Sequence, residues 1–154
     1  MTLVVARVVA VALAFCLGAC QAAPRRESGG GDLLALKQKA DLAYDEGRML
    51  DAEQGYNRIL EQAPSTPQAW LRLGNINLRL DRLEAAVHAY RQCLTFDRNE
   101  VRCWNNLSVA YIQMAASTLE QGSEEVSDPV KKEQLEAMRR RVVESINSEK
   151  SEAP

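Results

Sequence analysis

Four cysteines and a single histidine have the widest chemical repertoire in this chain, and their positions narrow what they can do. Cys93 and Cys103 stand ten residues apart, a spacing that argues against CxxC redox or zinc chemistry. His88 is alone, so a His-rich metal site and a Ser-His-Asp arrangement have little to work with. The acidic residues form no paired arrangement beyond a charged surface. With no nucleophile–base pair and no ligand cluster, the chain is expected not to be an enzyme and to need neither cofactor nor metal. The net charge of -2, from 19 Lys+Arg against 21 Asp+Glu, gives no basic footprint for a nucleic-acid partner. A length of 154 residues allows one ordinary domain. What remains is a cysteine at position 20 suited to modification, two cysteines further on, and surfaces that could bind another molecule.

Cys20 closes a segment with the layout of a secretory leader. Arg7 and the amino terminus form its positive end, and an apolar run follows from Val8 to Leu17. That run is too short to span a bilayer, which takes about 20 apolar residues. The run ends in Leu17-Gly18-Ala19-Cys20, which resembles the bacterial lipobox. The resemblance implies that residues 1–19 are a lipoprotein signal peptide and that Cys20 carries a diacylglycerol. Two or three acyl chains, at about 0.8 kcal/mol per buried methylene, hold a protein on a membrane far more firmly than one. Gln21 follows, where lipoproteins kept in the inner membrane typically carry Asp. The implied location is the outer membrane, facing the periplasm, with the inner membrane left open. Residues 20–32 hold Pro24, two Arg and three Gly and read as a flexible tether. Extended, such a tether reaches about 40 Å.

The rest of the chain is periodic. A shift of 34 residues superposes Leu36, Trp70 and Trp104, and aligns Ala40 with Gly74 and Ser108. It also aligns Ala52 with Ala86, Tyr56 with Tyr90 and Leu73 with Leu107. Trp70-x-x-Leu73-Gly74, Trp104-x-x-Leu107-Ser108-x-x-Tyr111, Ala52-x-x-x-Tyr56 and Ala86-x-x-x-Tyr90 resemble the tetratricopeptide repeat, and Pro64 stands where that family closes a repeat. The resemblance implies an all-α fold, a short solenoid of antiparallel helix pairs. In such a pair the small residues let two helices approach closely, and the aromatic residues fill the wedge between them.

The array is expected over 33–121, with repeats at 33–66 and 67–100 and the first helix of a third at 101–121. Helices are expected at about 33–46, 50–63, 67–80 and 83–97, the first pair broken at Gly47 and ended by Pro64. Asn77 replaces the family's usual Tyr, and Arg98 its closing Pro. Glu120 and Glu124 stand where repeat three should have Ala and an aromatic, so its first helix is expected to run on to about 121. A loop at 122–128 follows, and Asp128-Pro129 then makes a good helix start. From there Val130, Leu135, Met138, Val142 and Ile146 form a stripe near helical spacing. The expectation is a capping helix at 129–148, a displaced second helix that covers the open end of the stack, then a frayed tail at 149–154. Its outward face, with Lys131, Lys132, Arg139, Arg140 and Arg141, is either a solvated surface or a contact for anionic headgroups or an acidic partner.

In the repeat frame Cys93 and Cys103 fall at position 27 of repeat two and position 3 of repeat three. Each lies five residues from Arg98, so an antiparallel turn there sets them opposite each other. They are either a disulfide stapling the two repeats or two buried free thiols.

In tetratricopeptide arrays the first helix of each pair lines a concave groove. Carried onto this sequence, that assigns Lys37, Asp41, Tyr44 and Asp45 in repeat one. Repeat two contributes Gln68, Leu71, Asn75, Leu78 and Arg79, and repeat three Arg102, Asn105, Val109, Ile112 and Gln113. Tyr44, Leu71, Leu78, Val109 and Ile112 would make an apolar strip suited to an extended peptide or an amphipathic helix of a protein partner. The alternative is that they pack on neighbouring helices. Chaperone-binding members clamp a terminal carboxylate with Lys, Asn and Arg. Here Lys37 fits, but Asp41 replaces the Asn and Asn106 the final Arg, which disfavours that ligand. The build resembles small envelope lipoproteins that assist assembly of type IV or Flp/Tad pili and related secretion systems. The alternative is an adaptor that recruits or regulates a periplasmic protease or cell-wall enzyme. An exposed end of so short an array also leaves a homodimer open.

Overall fold

The computed structural model describes residues 29–152, and the side chains of 31–144. The leader, Cys20 and most of the expected tether lie outside the described residues, as does the side chain of Ile146. From Asp32 onward the chain forms one compact unit.

All the described secondary structure is helical: α1 (Gly29–Asp45), α2 (Met49–Gln62), α3 (Pro67–Arg79), α4 (Leu83–Phe96), α5 (Val101–Glu125) and α6 (Pro129–Glu152). None of these helices is long and apolar enough to cross a membrane. Local chemistry explains most of the boundaries. Gly47, at φ +77°, turns the chain between α1 and α2, and the equivalent turn after α3 uses Asp81 at φ 56°. Pro67 opens α3 at a position where no backbone donor is needed. The Asp128 side chain accepts hydrogen bonds from the Val130 and Lys131 amides, at 2.9 and 3.3 Å, and caps α6 behind Pro129.

Three boundaries differ from the sequence expectation. α1 begins at Gly29, so the last residues assigned to the tether are its first turn. α5 runs to Glu125 and shortens the expected loop to 126–128. α6 stays helical to Glu152, through most of the expected tail. Each is an extension of a helix already anchored by packing, where one more residue adds one more backbone hydrogen bond.

The helices pair as the 34-residue repeat requires. Ala40 and Gly55 make the contact between α1 and α2, and Gly74 meets the ring of Tyr90 between α3 and α4. Tyr56 and Tyr90 are fully buried in the two wedges. One apolar cluster runs from Ala40 and Tyr44 through Tyr56 and Ile59 to Leu73 and Ile76, and a second joins Leu71, Tyr90, Leu94, Leu107 and Ala110. Asn77, in the place of a Tyr, is buried and donates its amide to the Leu73 carbonyl at 2.9 Å. Cys93 and Cys103 are bonded, with Cα atoms 6.4 Å apart, and the disulfide fastens α4 to α5. α6 folds back on α5, and its described side-chain contacts include Leu135 against Gly122 and Arg139 3.8 Å from Glu120. Val130 and Met138 of the expected stripe stay exposed, while Leu135 and Val142 are partly buried.

Candidate functional site

Along one side of the unit the first helices α3 and α5 stand next to each other and enclose a cavity of about 330 Å³. Gln68, Leu71, Arg72 and Asn75 line it from α3, and Arg102, Asn105 and Asn106 from α5. The position-5 residue Leu71 is the expected centre of an apolar strip, and here the structure corrects the expectation. Leu71 is only 2% exposed and packs into the core with Tyr90 and Leu107. Leu78 also packs on that core and is half-buried, as are Val109 and Ile112. The strip is largely consumed by helix packing, because the α3–α5 approach seals position 5 of repeat two. The accessible floor is made of amides and cations instead.

Those polar groups are held in place by a network reaching into the wedge. Asn75 Oδ1 accepts from the Tyr90 hydroxyl at 2.9 Å and from Asn106 Nδ2 at 2.7 Å. Burial, and then the neighbouring Tyr44, push the Tyr90 phenol well above its ordinary range, so it stays a donor. Arg102 donates to Gln68 Oε1 at 3.1 Å across the groove and to Glu100 Oε2 at 2.6 Å. Glu100 also caps α5 by accepting from the Arg102 amide. Asn105 is exposed at the rim.

Repeat one contributes differently. Lys37 donates to Asp41 Oδ2 at 2.6 Å, and the Tyr56 hydroxyl donates to Asp41 Oδ1 at 2.6 Å. Burial opposes ionisation of Asp41, but the bonds from Lys37 and Tyr56 and the charge of Arg72 outweigh it and hold the carboxyl below its ordinary value. Tyr44 is buried, and the guanidinium groups of Arg72 and Arg79 lie over its ring at 4.5 and 4.7 Å. Tyr44 therefore orients two cations and offers no ring face to a ligand. Asp45 is exposed.

Arg72 is the groove residue the sequence reasoning missed. It stands at position 6 of repeat two, where the 34-residue shift aligns it with Asn106, and that alignment was the available signal. His88 lies edge-on to Trp70, with ring centroids 6.1 Å apart, on the exposed side of α4. Among the described residues no group of three His, Cys, Asp or Glu side chains could hold a metal ion.

Known proteins resemble parts of the chain. Residues 67–100 match the family model of the tetratricopeptide repeat. The protein O-mannosyl-transferase TMTC3 of Mus musculus is 31% identical over 70 residues, which are 46% of this chain and 8% of that protein. A TPR repeat-containing protein of Schizosaccharomyces pombe is 30% identical over 78 residues, 51% of this chain and 10% of that protein. The chain thus spans a tenth or less of the length of these curated relatives, and their whole-protein activities do not come with the likeness. A solved structure described as the first TPR of Spaghetti (RPAP3) bound to the HSP90 peptide SRMEEVD superposes with a TM-score of 0.51. It is 16% identical, and the match covers 75% of this chain and 93% of that one. Repeated helix pairs with small-on-aromatic contacts, a matched repeat at 67–100 and this neighbour together show that the chain has a fold of the tetratricopeptide type, a short solenoid of helix pairs.

Proposed function

We propose that this chain is a non-enzymatic scaffold that holds an extended segment of a partner protein in its concave groove. It does so as a lipoprotein tethered through acylated Cys20, facing the periplasm from the outer membrane, and it assists assembly of a pilus or secretion machine. The observation that carries the binding reading is the amide-rich floor between α3 and α5. Gln68, Asn75, Asn105 and Asn106 each combine donor and acceptor, as does the peptide bond they would grip. Arg72 and Arg102 favour acidic over basic residues in the segment. With Leu71 buried, the groove lacks the row of apolar anchors an amphipathic helix needs, so an extended peptide is the better fit.

A neighbour of the same fold binds a peptide, which supports a peptide ligand. The charge of Asp41, already bonded to Lys37 and Tyr56, disfavours a terminal carboxylate beside α1. The membrane part of the proposal rests on the Leu17-Gly18-Ala19-Cys20 motif, and the assembly role on the resemblance to small envelope lipoproteins of this build.

The test is in-cell crosslinking from a photoreactive residue at Asn105, on the groove rim, with exposed Glu84 on α4 as the control position. Adducts with pilus or secretin subunits from position 105 alone, lost in Arg102→Glu, support the proposal. Equal adducts from both positions would sink the groove reading, and a protease or cell-wall hydrolase as the captured protein would replace the assembly role. Recovery unchanged in Cys20→Ser would remove the tether from the mechanism.

A further inference from the structure

The flank of the first helix that faces its partner is covered in repeat two, on α3, and exposed in repeat three, on α5. On α3, Trp70 meets His88, and Gly74 lies under the fully buried Tyr90, both from α4. The equivalent α5 residues are Trp104 and Ser108, seated alike: the Trp70 indole donates to the Pro64 carbonyl at 2.8 Å, and the Trp104 indole to the Arg98 carbonyl at 2.9 Å. Yet Trp104 is 54% exposed, Tyr111 is 39% exposed and Ser108 is exposed. α5 continues to Glu125 before the chain turns, and the contacts of Leu135 and Arg139 lie at its far end, around Gly122 and Glu120. A groove of about 510 Å³ is left between α4 and α5, floored by Leu94, Trp104, Leu107 and Tyr111 and rimmed by Arg91 and Arg98.

We propose that this groove receives a helix from another protein, completing the third hairpin in trans. The second repeat supplies the template for the occupant: a small residue followed four positions later by an aromatic, as in Ala86 and Tyr90, with Ser108 allowing the close approach. The rim sets its charge. Arg91 lies 5.7 Å from the Tyr111 ring centroid, and neither it nor Arg98 forms an ion pair among the described residues, so the incoming helix is acidic along its edges. α6 of a second copy fits this rim less well, because Lys131, Lys132, Arg139, Arg140 and Arg141 alternate with Glu133, Glu136 and Glu144 and leave it without a net acidic edge. The site shares no residue with the groove that holds Asn75 and Asn105, so its failure leaves the peptide-binding reading untouched, and the reverse.

The experiment uses the full-length protein in detergent and two hydrocarbon-stapled peptides built on the sequence of residues 83–96. Both carry Cys93→Ser. One carries Arg91→Glu and is acidic, and the other carries Glu84→Lys and is basic. The readout is the NMR cross-peak of the Trp104 indole, with Trp70, the second of two tryptophans, as internal control. The acidic peptide is expected to shift the Trp104 peak saturably and to leave Trp70 in place. Its dissociation constant should rise about tenfold or more when Arg91 and Arg98 of the protein are both changed to Glu, and the basic peptide should bind correspondingly weakly. Ser108→Arg, an exposed substitution, should block the shift while the Trp70 peak reports an intact fold. The proposal is overturned if neither peptide moves Trp104 at millimolar concentration, if both bind equally, or if Ser108→Arg still binds. It is overturned as well if the free protein is a dimer with Trp104 already shielded, since a second copy would then be the occupant.

Discussion

Replacing Gly74 by alanine tests how the second hairpin closes and how a groove residue is held. A Cβ at position 74 would lie 2.3 Å from Cε1, 2.5 Å from Cδ1 and 2.8 Å from Cζ of Tyr90. The ring cannot retreat freely, because it is fully buried and its hydroxyl donates to Asn75 Oδ1. Overpacking of this kind costs about 1–3 kcal/mol, and leaving the buried hydroxyl unsatisfied costs about 1–3 kcal/mol more. The gain in helix propensity from Gly to Ala offsets up to about 1 kcal/mol. The net expectation, with that offset in full, is a loss of about 1–5 kcal/mol. At the equivalent position, Ser108→Ala meets no second helix and should stay within about 0.5 kcal/mol of the parent. The assay is urea unfolding followed by far-UV circular dichroism, comparing midpoints at constant slope. If Gly74→Ala unfolds within 0.5 kcal/mol of the parent (about the scatter of surface substitutions), or if Ser108→Ala costs as much, the close-approach reasoning fails.

Opening the Cys93–Cys103 bond, by reduction or by changing both residues to Ser, should lower the unfolding free energy by about 2–3 kcal/mol in the chain-entropy model; an unchanged urea midpoint would refute this. Asp41 is held below its ordinary value of 3.8, so its contribution is fully present above that pH and is lost as pH falls through the lowered folded-state value. The stability difference between the parent and Asp41→Asn should accordingly narrow below pH 3.8 in acid unfolding, and a constant difference would contradict it. Asp81 occupies the left-handed turn that Gly47 fills one repeat earlier, so Asp81→Gly should raise stability by up to about 1 kcal/mol and Gly47→Asp should lower it by at least as much. Thermal melting of the two variants checks both signs.

Much of the architecture was legible in the chain. The 34-residue spacing of Trp70 with Trp104, and of Tyr56 with Tyr90, sets the helix pairs because small and aromatic residues at those positions satisfy one geometry. Asp128-Pro129 marks the start of α6 for local reasons, since a cap and a missing donor act within one turn. The groove was less legible. Positions 71 and 75 are both first-helix positions, but only Asn75 stays accessible at the groove, tied to Tyr90 and Asn106, while Leu71 joins the core. Arg72 enters the groove because the buried Tyr44 ring, from the preceding repeat, supports its guanidinium.

Periodicity, turn chemistry and the pairing of small with large residues are properties of neighbouring stretches of chain, and the sequence by itself determined them: helices, repeat length and the order of the hairpins. Burial is different, because it depends on where the axes of non-adjacent helices come to lie. Only the tertiary structure decided that the α3–α5 approach seals Leu71, that the disulfide fastens α4 to α5, and that Trp104 stays exposed where its counterpart Trp70 meets a second helix.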